Sequence, residues 1–109
     1  MVELLLFKVG GVRYGTDASS VLRIDRRGET EEVGVPLGVP DHGNRALVFA
    51  GRDGGERWLR VDAIEGVKSV SPLELRRLPK VAIANPISIG AWLDGGSAVL
   101  LVDLRRMTS

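Results

Sequence analysis

The chain has 109 residues, 44% hydrophobic, 27% charged and 5% aromatic, with fifteen Lys and Arg against fourteen Asp and Glu. One domain of ordinary size is expected over residues 1–109, and a net charge of +1 offers no electrostatic case for binding nucleic acid or an anionic membrane. The absence of cysteine excludes a disulfide framework, a zinc–thiolate site and a thiol nucleophile.

Fourteen glycines and five prolines cut the chain into short apolar runs, the pattern of strands joined by tight turns. In chain order the runs cover residues 4–9, 21–24, 46–50, 58–61, 67–70, 87–93 and 98–104. Trp58-Leu59-Arg60-Val61 and Val67-Lys68-Ser69-Val70 read as half-buried strands, and Val99-Leu100-Leu101-Val102 as a strand buried on both faces. Gly10-Gly11, Arg52-Asp53-Gly54-Gly55 and Asp94-Gly95-Gly96 lie between runs and read as hairpin turns. Helical signals are confined to single turns. Asp17 is placed to cap Ala18-Ser19-Ser20, Ser71-Pro72-Leu73-Glu74 spells a capping box, and residues 103–107 suit a last turn.

Gly11-Val12-Arg13-Tyr14-Gly15-Thr16-Asp17-Ala18 is echoed, with one insertion, by Gly55-Glu56-Arg57-Trp58-Leu59-Arg60-Val61-Asp62-Ala63. Each copy follows an apolar run and a glycine turn, which suggests two similar β units. Residues 25–45 are a Pro/Gly-rich connection between them.

Little in the sequence is organised for catalysis. His42 is the sole histidine and sits in that connection, the usual setting of a solvated loop residue. Gly10-Gly11 and Gly15 are separated by the strand-like Val12-Arg13-Tyr14 and lack the helix that a phosphate cradle needs. No acidic cluster has calcium-loop spacing. Neither a catalytic residue, a metal nor a cofactor is expected. The pairs Arg26-Arg27, Arg76-Arg77 and Arg105-Arg106 alternate with acids and read as solvated or partner-facing charge. Trp58 and Trp92 are either core residues or partner anchors.

Five motifs in order resemble the CheW-like family, the coupling proteins of bacterial chemosensory arrays. Leu5-Leu6-Phe7-Lys8-Val9-Gly10-Gly11-Val12-Arg13-Tyr14-Gly15 resembles the family's first hairpin, and Val21-Leu22-Arg23-Ile24 its following strand. Leu59-Arg60-Val61-Asp62-Ala63-Ile64-Glu65-Gly66-Val67 is similar to "L.VD.V.GV", Leu75-Arg76-Arg77-Leu78-Pro79 to "I.PLP", and Val99-Leu100-Leu101-Val102-Asp103-Leu104 to the closing "VLLLDL".

The resemblance implies an all-β fold of two small SH3-like β-barrel subdomains and no catalysis. It implies two partners, the cytoplasmic domain of a chemoreceptor and the regulatory domain of the histidine kinase CheA, or another CheW-like protein. By position, Val21, Arg23 and Ile24 match the part of the receptor groove on the first barrel, with Leu59 and Val61 nearby. Family members are longer, and the shortfall falls between Ile24 and Ala46, where the family has a central hairpin. A first barrel shortened in this way should expose a sheet edge for a partner strand or a second copy.

The expectation is therefore a non-catalytic accessory adaptor that binds a chemoreceptor, with reduced or absent CheA binding. A full coupler of receptor to CheA is the alternative. A small-ligand or oligonucleotide-binding β-barrel is a second, disfavoured by the charge and by the lack of aromatics paired for base stacking. Met1 to Lys8 does not read as a signal peptide, and no apolar stretch approaches the ~20 residues that span a bilayer. A cytoplasmic protein with no membrane insertion is expected.

Overall fold

The computed structural model describes residues 1–26, 45–51, 53–77 and 88–104. Among them run nine strands: β1 (Val2–Val9), β2 (Val12–Asp17), β3 (Val21–Arg26), β4 (Arg45–Ala50), β5 (Glu56–Val61), β6 (Ala63–Val70), β7 (Arg76–Arg77), β8 (Ser88–Asp94) and β9 (Ser97–Val102). They form a six-stranded sheet in the order β6-β1-β2-β9-β8-β7 and a three-stranded sheet in the order β3-β4-β5. Neighbours are antiparallel except β2 and β9, which run parallel with Tyr14 opposite Leu100.

The expected turns carry this topology. Gly10 and Gly11, at φ 59° and 81°, join β1 to β2, and Gly95 and Gly96, at 57° and 90°, join β8 to β9. Both central residues of such a two-residue turn need positive φ, which glycine adopts without steric cost. Between β4 and β5 the Gly51 N–H donates to the Gly55 carbonyl at 2.8 Å, while Asp53 accepts from the Gly55 N–H. The predicted capping turns are also present: Asp17 accepts from the Ser19 N–H, and Ser71 and Glu74 form a reciprocal capping box. All but Asp103 and Leu104 of the suggested turn at 103–107, and most of the 25–45 connection, with His42, lie outside the described residues.

The repeat marks two corners where the chain leaves one sheet for the other. Asp17 ends β2 and caps the turn into β3, and Asp62 lies between β5 and β6. Asp62 accepts from the Gly10 N–H at 2.8 Å and donates its own N–H to the Lys8 carbonyl at 2.9 Å, which stitches this corner to the first hairpin. The two units differ in size, since β2 belongs to the six-stranded sheet and β5 to the three-stranded one.

Two cores flank β1 and β9. Strand alternation sends Leu5, Phe7, Val9 and Val102 to a first core with Leu47, Phe49, Leu59 and Val61 of the smaller sheet. It sends Leu4, Leu6, Val99 and Leu101 to a second core, which Val70 and Trp92 complete. This is why residues 99–102 read as buried on both faces. Val67 departs from expectation: it is exposed while Val70 is buried, because residues three apart on a strand point to opposite faces.

The larger sheet curls strongly. In a flat sheet β6 and β8 would lie about 19 Å apart, four strand spacings. Lys68 on β6 nevertheless reaches Asp94 at the end of β8 at 3.0 Å. No ladder among the described residues closes either sheet into a barrel, and side chains bridge the larger one.

Gly90 shows how tight this curl is. A Cβ there would sit 2.5 Å from the Arg76 carbonyl oxygen, a backbone atom that cannot rotate away. Gly90→Ala is expected to detach β7 from β8, seen as faster amide exchange confined to residues 76–77 and 90–91. An unchanged exchange pattern would place that carbonyl elsewhere.

Candidate partner-binding surface

The residues matched to the receptor groove fall on the two faces of the smaller sheet. In an undisturbed strand Val21 and Ile24 would point to opposite sides. Between Val21 and Arg23 the register with β4 shifts by one residue, a β-bulge with Leu22 as the extra residue. Val21 therefore lies opposite Phe49 and Ile24 opposite Leu47, so both share the face of the first core. They stand at its rim. Val21 packs partly against the core, Ile24 is 43% exposed and Leu22 is 53% exposed. An open hollow lined by Asp17, Ser19, Ser20, Leu22 and Ala50 lies beside them.

Arg23 lies on the other face, in one register row with Val48 and Trp58. Its guanidinium reaches over β4 to Glu56 on β5 in a bidentate pair, at 2.9 and 3.0 Å, and its Nε donates to Asp25 at 3.3 Å. The Glu56 pairing raises the Arg23 pKa and lowers that of Glu56. Arg23 thus ties the two outer strands of the sheet together. Trp58 beside it is half-buried.

Two residues matched to the groove are core residues instead, and Trp92 takes the core side of its two readings. Leu59 and Val61 are 8% and 0% exposed, because both sit on the inward parity of β5. Trp92 is 4% exposed and fills the second core, with Lys68 Nζ 5.4 Å from its ring centroid. Leu22, which the sequence comparison passed over, joins the rim through the bulge. Among the described residues the exposed large apolar side chains of this sheet are thus Leu22 and Ile24, with the partly buried Val21 beside them.

A charged cluster closes the far side of the larger sheet. Arg13 on β2 binds Glu65 on β6 through two hydrogen bonds, at 2.9 and 3.0 Å, and Asp94 at 2.9 Å. Arg13, and then Lys68, hold the Asp94 carboxyl below the ordinary value of 3.8. A depressed carboxylate pKa stabilises the fold above the unfolded value, and this contribution is lost as pH falls through the folded one. Asp94→Asn is therefore expected to flatten the acid limb of stability below about pH 4, measured by urea midpoints across pH. An acid limb identical to the wild type would mean the cluster does not form.

Among the described residues no group of three or more His, Asp or Glu is placed to hold a metal. No described helix is long and apolar enough to cross a membrane.

No protein-family model matches the chain. Over 103 residues it is 46% identical to the frizzy aggregation protein FrzB of Myxococcus xanthus, an alignment covering 94% of this chain and 91% of that protein. The chain belongs to the FrzB family. In structure it is similar to the scaffolding protein TtCheW from Thermoanaerobacter tengcongensis, with a TM-score of 0.72 over 97% of this chain and 91% of that one. The two are 13% identical, so this likeness speaks for the fold. The FrzB-type chain therefore has the all-β CheW-like fold that its motifs implied.

Proposed function

We propose that this chain is a non-catalytic adaptor of a bacterial chemosensory system. It holds the cytoplasmic part of a chemoreceptor on the rim formed by Val21, Leu22 and Ile24, and binds CheA-type kinase weakly or not at all. The observation that carries this reading is the rim itself: a bulge presents aliphatic side chains to solvent at the edge of the first core. An amphipathic helix docks on such a surface by burying its own apolar face. Kinship with the frizzy aggregation protein FrzB and the fold shared with a scaffolding protein support the adaptor role. The weak kinase contact follows from residues 25–45, which lack the family's central hairpin motif. In this reading the protein works in the cytoplasm, gathered at receptor clusters.

Ile24→Glu tests the rim. The side chain is already substantially exposed, and surface changes usually move stability by within about 0.5 kcal/mol. A carboxylate in an apolar interface is costly, so receptor affinity should fall at least about tenfold, equivalent to about 1.4 kcal/mol. Isothermal titration of a receptor cytoplasmic fragment checks this. Unchanged affinity would remove Ile24 from the contact.

A further inference from the structure

The outer edge of β3 is unpaired among the described residues, and its sequence is self-complementary. We propose that two copies of this chain associate by antiparallel pairing of their β3 strands about a two-fold axis through Ile24. That register sets Ile24 opposite its counterpart, Arg23 opposite the second copy's Asp25, and Asp25 opposite the second copy's Arg23. Opposite charges directly across a ladder are favourable, and an apolar pair between them excludes water. The pairing joins two three-stranded sheets into one of six strands and covers Ile24, one of the exposed apolar side chains of the sheet.

The geometry suits this occupant. Alternation places Arg23 and Asp25 on one face and Ile24 on the other, so salt bridges form on one side of the joint and apolar contact on the other. Three of the five Arg23 N–H donors are engaged by Glu56 and Asp25, which leaves donors for the incoming carboxylate. Two other long edges, those of β5 and β6, are also unpaired among the described residues. The β5 edge carries Arg57 and Arg60 but no aspartate, so it lacks the Arg-x-Asp pattern of β3, and β6 is blunted. Lys68 and Glu65 are held in the charged cluster, Gly66 has φ 123°, and the register with β1 is bulged. The pairing covers Ile24, which the receptor reading places in its rim, so dimer and receptor complex compete for that side chain. The cross-linking and sedimentation experiments contain no receptor and decide the pairing alone.

The chain has no cysteine, so a single introduced thiol reports the register. Ile24→Cys places two thiols across the axis at a separation a disulfide spans, whereas Leu22→Cys leaves them roughly 13 Å apart along the strands. Under mild oxidation the full-length Ile24→Cys protein should form covalent dimer at least about tenfold faster than Leu22→Cys, or than Leu73→Cys as an exposed collision control. Adding Asp25→Arg to Ile24→Cys opposes two like charges at each end of the joint and should slow the reaction to the control rate, with circular dichroism unchanged. Sedimentation equilibrium of the unmodified chain should show a concentration-dependent rise from monomer to dimer. Equal cross-linking at all three positions, no effect of Asp25→Arg, or a monomer throughout the concentration series would overturn the proposal.

Discussion

Val61→Glu is expected to yield no folded protein. Val61 is fully buried in the first core, opposite Arg45 on β4 and on the same face as Leu59. The substitution forfeits about 1.5–3 kcal/mol of apolar burial. Burial pushes the carboxyl's pKa above 7. Holding it neutral at pH 7 costs about 3.7 kcal/mol more, or about 1.36 kcal/mol for each of the roughly 2.7 units between pH 7 and the ordinary Glu value of about 4.3. Together these rival the whole stability of a typical domain, about 5–15 kcal/mol. Far-ultraviolet circular dichroism and thermal melting decide the matter. A cooperative transition near that of the wild type would mean that β5 turns its other face to the core and that Val61 belongs to the partner surface after all. The contrast with Ile24→Glu matters most, since the two side chains lie on one face of the same sheet. One sits beneath the larger sheet and one at the rim.

Trp92 carries the second large effect, and its size depends on the replacement. Trp92→Ala empties much of the second core and should cost about 3–5 kcal/mol in urea unfolding. Trp92→Phe should cost far less, within about 1 kcal/mol, because two terms offset each other. The smaller ring leaves a void costing about 24 cal/mol per Å³. Against that, the indole Nε1–H is buried with no hydrogen-bond partner among the described residues, and an unmade hydrogen bond of this kind costs about 1–3 kcal/mol. Phenylalanine has no such group. Lys68 would still lie over an aromatic face, with a weaker cation–π attraction. If Trp92→Phe proved as damaging as Trp92→Ala, the fit of the indole would outweigh its stranded N–H.

Seven of the nine strands were legible as short apolar runs, and three of the turns between strands because glycines that can take positive φ lie in them. Period-two alternation correctly assigns Leu59 and Val61 to one face and Trp58 and Arg60 to the other. It does not say which face meets a second sheet, and that decided the fate of the groove candidates. The parallel contact of β2 with β9 joins residues far apart in sequence and leaves no local trace. The bulge at Leu22 exists only as a register shift against β4, so its consequence, that Val21 and Ile24 share a rim, is invisible in the run Val21-Leu22-Arg23-Ile24. The two-residue β7 has no apolar pattern of its own and forms because β8 passes beside it at Gly90. Asp62 was legible as part of a motif but not as a fastener, since its partner Gly10 lies 52 residues away.

The most direct test of the adaptor reading is a titration of the purified chain against two fragments from its own organism, a chemoreceptor cytoplasmic tip and a CheA regulatory domain. Saturable binding of the receptor fragment, lost in Ile24→Glu, with no comparable binding of the kinase fragment, is the predicted result. Comparable binding of both would make the chain a full coupler, and failure to bind the receptor fragment would contradict the account at its centre.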